Sequence, residues 1–231
     1  MQKEILDLKY RNEMKFVCSE QELCLIEHRI KGICSPDAHA GSNGTYMVRS
    51  LYFDDYNDSC LYDNIDGILQ REKFRIRIYN ANPDYPVLEC KQKYKDKNHK
   101  FSCSITRVQL QEMLEGGFAL PEEAPEVLRK FYLQYHTRLL RPKVIVQYER
   151  TPFVYPIGNV RITFDRNVSG TADIMEFEKE SIALRPVMSA GQHILEVKYD
   201  ELLPDYIYNA LQLGSLRQTA FSKYYMCRKM C

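Results

Sequence analysis

At 231 residues the chain has room for one large domain or two small ones. Its 45% apolar and 27% charged residues describe an ordered globular protein, not a disordered one. A formal charge of +1, from 32 Lys and Arg against 31 Asp and Glu, argues against a generic nucleic-acid coat and confines any basic site to a local cluster.

Residues 9–17 alternate with the period of a β-strand, Arg11, Glu13 and Lys15 on one face and Met14 and Phe16 on the other. Ser19 and Glu22 have capping-box spacing and predict a helix carrying Leu23, Ile26 and Ile30 to about residue 32. Residues 35–44 read as a loop and 45–53 as a strand with Met47, Arg49 and Leu51 on one face. The Asp-rich stretch 54–58 predicts a turn and a helix start. The strongest pattern lies at 70–79, where Arg71, Lys73, Arg75, Arg77 and Tyr79 face one way and Glu72, Phe74, Ile76 and Ile78 the other. Residues 80–84 carry hairpin-loop chemistry. The strand at 86–94 then sets Glu89, Lys91 and Lys93 opposite Leu88, Cys90 and Tyr94. A polar turn at 95–98 precedes a short strand at 100–105, and helices are predicted over 106–116 and 122–138. Strands follow at 143–151 and 159–166, the second with Arg161, Thr163 and Asp165 opposite Val160, Ile162 and Phe164. No period is clear over 167–190, where a strand or two with loops is expected. A strand at 193–199 puts Glu196 and Lys198 on one face, and helices close the chain over 204–213 and 220–229. With no repeat, low-complexity tract or linker, the expectation is a single domain over 1–231.

At least five of these strands set Arg, Lys or Glu against an apolar face. Taken singly, each is explained by a wet outer face or by cations guarding a sheet edge. Together they suggest a sheet closed into a barrel, apolar faces packed outward on helices and charged faces lining a solvated bore. Same-face neighbours about 7 Å apart match the charge spacing of a phosphate chain. A nucleic-acid surface would instead want exposed aromatics among the cations, and the charged strand offers only Tyr79.

Seven segments in order resemble the VTC domain, the polyphosphate-polymerase branch of the triphosphate tunnel metalloenzymes. They are Arg11-x-Glu13-x-Lys15, Arg75-x-Arg77, Leu88-Glu89-x-Lys91, Arg150-Thr151, Arg161-x-x-x-Asp165, Leu195-Glu196-Val197-Lys198 and Phe221-Ser222-Lys223-Tyr224. The resemblance implies an α+β fold built on a closed antiparallel β-barrel of about eight strands, forming a tunnel flanked by helices. It implies a catalytic set of Lys15, Arg75, Arg77, Lys91, Arg150, Arg161 and Lys198, with phosphate contacts from Lys73, Lys93, Lys100, Ser222 and Lys223. Glu196 matches the family's metal-ligand carboxylate, with Glu13 as a second, for Mn²⁺ or Mg²⁺. Glu89 is assigned to orienting neighbouring Lys or Arg. The implied reaction moves the γ-phosphoryl of ATP, or another nucleoside triphosphate, onto a polyphosphate chain. A triphosphatase, a nucleotide cyclase and a non-catalytic polyphosphate- or nucleotide-binding module are the alternatives.

Two departures bear on the choice. Hydrolase and cyclase relatives begin Glu-x-Glu-x-Lys, and Arg11 in place of the first Glu favours the polymerase branch. Ala220 stands where polymerase relatives carry a further basic residue. Nothing near 18 consecutive apolar residues occurs, and no apolar leader follows Met1, so a cytoplasmic protein is expected, with room for a membrane-protein partner on a separate chain. The eight cysteines form no Cys-x-x-Cys pair, which argues against structural zinc and predicts that most are small buried hydrophobes.

Overall fold

The computed structural model describes residues 11–41, 43–94 and 97–231. The predicted beginning of the first strand at residues 9–10, the chain start and residues 95–96 of the predicted turn therefore lie outside the described residues.

β1 (Asn12–Ser19) passes into α1 (Glu20–Ile30) through the predicted capping box. Ser19 Oγ accepts from Glu22 N–H at 3.2 Å, and the Glu22 carboxylate accepts from Ser19 N–H at 2.7 Å. The predicted loop contains the short β2 (Ser35–Pro36), followed by β3 (Tyr46–Asp54) and α2 (Ser59–Ile65). Buried Asp54 accepts from the N–H groups of Cys60 and Leu61 and from the Tyr224 hydroxyl. This satisfies the start of α2 and ties it to the end of the chain. β4 (Gln70–Tyr79) and β5 (Asn82–Tyr94) meet in a two-residue turn, Asn80 and Ala81, both with φ in the left-handed region. That turn is tighter than the predicted loop. β6 (Lys97–Ser104), α3 (Arg107–Glu115) and α4 (Glu126–Thr137) follow. β7 (Arg141–Tyr155) and β8 (Val160–Thr171) run longer than predicted. The short β9 (Arg185–Pro186), β10 (Gln192–Tyr199), α5 (Asp205–Ala210) and α6 (Lys223–Met230) complete the chain.

Among the described residues the strands form one antiparallel sheet in the order β1-β10-β8-β7-β3-β4-β5-β6, with β2 added to β7 and β9 to β8. The α+β class and the eight principal strands match expectation. The closed barrel does not. Among the described residues the outer strands β1 and β6 share a lone bridge, Arg11 N–H to Asn98 C=O at 3.5 Å, and no ladder. The chain itself gives the reason. Gln218 bridges to Phe16, and Thr219 N–H donates to Lys15 C=O at 2.8 Å, so along Lys15 and Phe16 the edge of β1 is taken by the C-terminal approach and not by β6. A cavity of about 580 Å³ opens at this seam, lined by Val17, Arg217, Gln218, Thr219 and Ala220. The sheet is nevertheless curled enough for Glu13 on β1 to reach Lys91 on β5 at 2.9 Å.

The convex face is apolar. Phe74, Ile76, Leu88 and Cys90 pack under Leu110, Met113 and Phe131 of α3 and α4. Phe16, Ile162, Leu195 and Val197 pack under Leu23, Ile26 and Ile207 of α1 and α5. Arg49 also lies on this face, fully buried, and donates to the carbonyls of Phe177, Lys179 and Glu180 and to Gln147 Oε1. Four acceptors take the place of a counter-ion and pin the 174–180 segment onto the sheet.

α6 instead enters the concave face, where Tyr224 and Cys227 pack on Val48, Val146, Val168 and Ile194. Gly170 permits this approach, because a Cβ there would lie 2.8 Å from Cys227 Sγ. Cys18, Cys34, Cys90 and Cys227 are buried and Cys60 and Cys103 half-buried, while Cys24 and Cys231 are exposed. Among the described residues no helix is long and apolar enough to cross a membrane.

Candidate functional site

Alternation carries the charged side chains of seven strands onto the concave face, and their heads form ion-pair clusters linked into one network through Tyr148. Its first centre is Glu89 on β5, 2% exposed, which takes Arg75 at 2.6 Å, Arg77 at 3.5 Å and Lys100 at 2.8 Å. These three cations hold Glu89 far below the usual carboxylate range against the upward push of burial. The expected orienting role of Glu89 matches this geometry. The second centre is the pair Glu13 and Glu196 on adjacent strands. Glu13 takes Lys15 and Lys91, both at 2.9 Å. Glu196 takes Lys198 at 2.6 Å, with Lys223 at 3.9 Å and Lys15 at 4.0 Å. Burial raises both carboxylates, and Glu196 raises Glu13 further, but the surrounding cations outweigh this and hold both ionised.

The third centre is Asp165 on β8, with no exposed surface. Arg150 donates to it through Nε at 2.7 Å and Nη2 at 2.8 Å, and Lys223 Nζ lies 2.7 Å away. Tyr148 joins the centres. Its hydroxyl accepts from Arg77 Nη2 at 3.4 Å, while Arg150 and Lys223 lie 5.1 and 4.9 Å from its ring centroid. Tyr52 does the same for Arg75, whose Nη1 donates to its hydroxyl at 2.8 Å.

The structure thus brings together Lys15, Arg75, Arg77, Lys91, Lys100, Arg150, Lys198 and Lys223 around Glu13, Glu89, Asp165 and Glu196. Eight cations against four carboxylates leave this network four positive charges in excess. Three predicted residues sit at its margins. Arg161 faces Lys198 in register but turns to Asp37 at 2.9 Å and to the Tyr46 hydroxyl at 3.2 Å. Lys73 has no carboxylate within ion-pair distance among the described residues and lies 4.6 Å from the Tyr224 ring centroid. Lys93 pairs in register with Arg71 and Asn98, one step beyond Lys91 along β5. Ser222 is the N-cap of α6, its Oγ accepting from Tyr225 N–H at 3.3 Å, so its hydroxyl oxygen serves the helix.

The family's sequence profile matches residues 10–231. The chain belongs to the VTC domain family. No curated protein matches this VTC domain in sequence. Among solved structures, a candidate adenylate cyclase from Bacillus halodurans superposes with a TM-score of 0.55 at 13% identity, over 93% of this chain and 94% of that one. A protein from Pyrococcus horikoshii superposes with a TM-score of 0.49 at 12% identity, over 96% of this chain and 100% of that one. At such identities the first likeness speaks for the fold alone.

For a metal, the VTC domain offers Glu13 and Glu196. Their oxygens suit a hard divalent ion, but two carboxylates already paired with lysines supply too few ligands to hold one unaided. Among the described residues no group of three or more His, Cys, Asp and Glu is spaced to hold a metal ion. Phosphate and water would have to complete the shell.

Sequence reasoning missed Tyr52 and Tyr148 as members of the network. The face of β3 that carries Tyr52 also carries Tyr46, Val48 and Ser50, and holds no cation that would mark it. Tyr148 is two residues before Arg150, and that spacing on one strand was the available signal.

Burial pulls Lys91 down to about 8, Lys15 and Lys198 adding to the effect and Glu13 and Glu196 opposing it. An anion beside Lys91 stabilises its charged form. At pH 8 the lysine passes from about half-protonated to fully protonated on binding, an uptake of roughly half a proton. Affinity should accordingly fall as pH rises above 8. Calorimetry of tripolyphosphate binding at pH 8, in buffers of different ionisation enthalpy, should show smaller proton uptake for Lys91→Met than for the native protein. The difference between the two removes the ligand's own protons, and equal uptake would contradict the assignment.

Proposed function

We propose that this VTC domain is a polyphosphate-polymerase-like phosphotransferase that moves the γ-phosphoryl of ATP, or another nucleoside triphosphate, onto a polyphosphate chain. The observation that carries the reading is the excess of four positive charges in one half-buried network on the concave face. Mutual repulsion makes such a cluster costly when empty, and a linear polyanion offsets it along its length.

Phosphoryl transfer asks a protein for position and charge stabilisation more than for covalent chemistry. Arg75 and Arg77 lie two residues apart on one face of β4, steadied by Glu89, and can grip neighbouring phosphoryl groups. Arg150 spends an N–H each of Nε and Nη2 on Asp165, so it keeps three N–H donors for phosphate while adding charge. Lys15, Lys91, Lys198 and Lys223 give mobile point charges around the same space. Mn²⁺ or Mg²⁺ bound through Glu196 and Glu13 would neutralise charge on the transferring group. Arg11 pairs with Asp200 at 3.1 Å instead of contributing a third carboxylate, which supports a transferase over a two-metal hydrolase.

Incubation with ATP, polyphosphate primer and Mn²⁺ or Mg²⁺ separates the readings. Lengthened polymer with ADP is the expected result. Inorganic phosphate would mean a triphosphatase, pyrophosphate a cyclase, and tight binding without turnover a binding module.

A further inference from the structure

Thr163 lies in the middle of β8, between Arg161 and Asp165 on the charged face. Its cross-strand partner on β10 is Glu196, and directly opposed residues of an antiparallel pair project to the same side of the sheet. Thr163 is 3% exposed, yet among the described residues no protein group lies within hydrogen-bonding distance of Oγ1. Glu196, the acceptor nearest in register, is turned to Lys198 at 2.6 Å and toward Lys223. Arg161 Nε, two residues away, is likewise buried without an acceptor, its Nη2 being held by Asp37 and Tyr46. Two buried donors on one face, beside the Lys198 ammonium, lack an acceptor. Buried polar groups are ordinarily paired, and an orphaned pair on a cationic face is matched by an oxygen-rich anion.

We propose that the Thr163 hydroxyl is a phosphate-binding group, donating to one oxygen of a phosphoryl group that also meets Arg161 Nε–H and Lys198. This rests on the reading of the concave face as a polyphosphate site and names a contact within it. The hydroxyl is uncharged, so it adds a directed bond without adding to the repulsion that already crowds the site. Its position beside Glu196 puts that phosphoryl group next to the carboxylate pair.

The test is equilibrium binding of inorganic tripolyphosphate, measured once with a chelator and once with Mg²⁺, together with melting of the unliganded protein. Thr163→Val keeps the shape and removes the donor. It should weaken tripolyphosphate about ten-fold or more in both conditions, as expected for a bond to a charged group, while the unliganded melting temperature holds or rises. Thr163→Ser should stay near native affinity. Thr151→Val is the contrast, because that hydroxyl is already used, accepting from Arg166 Nη1 at 3.1 Å. It should lower the melting temperature and leave affinity unchanged. Native affinity in Thr163→Val would overturn the proposal, and so would a loss confined to Mg²⁺, which would assign the hydroxyl to the metal's water. Failure of the native protein to bind tripolyphosphate in either condition would overturn the site reading itself.

Discussion

Asp165→Ala should lose about 3–5 kcal/mol of stability, the cost of stripping a buried ion pair of one partner. Asp165 is fully buried between Arg150 and Lys223, whose side chains are themselves only 10% and 9% exposed. Removing the carboxylate leaves two cations facing each other beside Tyr148. It also frees the start of α6, which Lys223 anchors to β8. An anion can replace what was removed, so tripolyphosphate should restore a larger share of stability in this variant than it adds to the native protein. Urea melts with and without tripolyphosphate measure both effects, and a loss under 1 kcal/mol would contradict the account. The four carboxylates also set the response to acid. Arg150 and Lys223 hold Asp165 below its ordinary range against burial, and Glu13, Glu89 and Glu196 are lowered similarly by their cations. Each folded-state pKa lies below its unfolded value near 4. The stabilisation is therefore complete above about pH 4–5 and is lost as pH falls below it.

Glu196→Gln should reduce turnover by at least the 10- to 100-fold that losing a supporting group costs at metal sites. In chelator the same variant should bind tripolyphosphate more tightly, because one negative charge leaves a site holding Lys15, Lys198 and Lys223. The two effects have opposite signs, which separates a carboxylate needed for chemistry from one that merely fixes lysines. Unchanged turnover with Mn²⁺ or Mg²⁺ would assign Glu196 to salt bridging alone.

What could be read from the sequence follows from period two. Over residues 73–78 of β4, 88–91 of β5 and 195–198 of β10 charged and apolar residues alternate, and the structure puts Arg75, Arg77, Lys91 and Lys198 on one face and Phe74, Ile76, Leu88 and Val197 on the other. The pattern fails where the backbone breaks it. On β8, Asn167 has φ 55° and marks a bulge where the register with β7 shifts, so Val168 and Gly170 take the concave face out of phase with Asp165. That hides the end of the strand. On β7, Pro152 suggests a stop; it keeps its register with Thr163 of β8, and on the other edge it lies beyond the last pair with β3, next to the short β2, where a missing N–H costs little. Closure was not legible either, since it depended on residues 218–219 taking the edge of β1. The repulsion expected along the β4 row is relieved in part by Glu89, whose reach across the strand pair is a tertiary fact.

The most direct measurement is a crystal structure of the protein soaked with tripolyphosphate. The account predicts phosphate oxygens within about 3 Å of Arg75, Arg77, Lys91 and Lys198 on the concave face. Tripolyphosphate bound only on the outer surface, with Glu13, Glu89, Asp165 and Glu196 keeping their present partners, would contradict it.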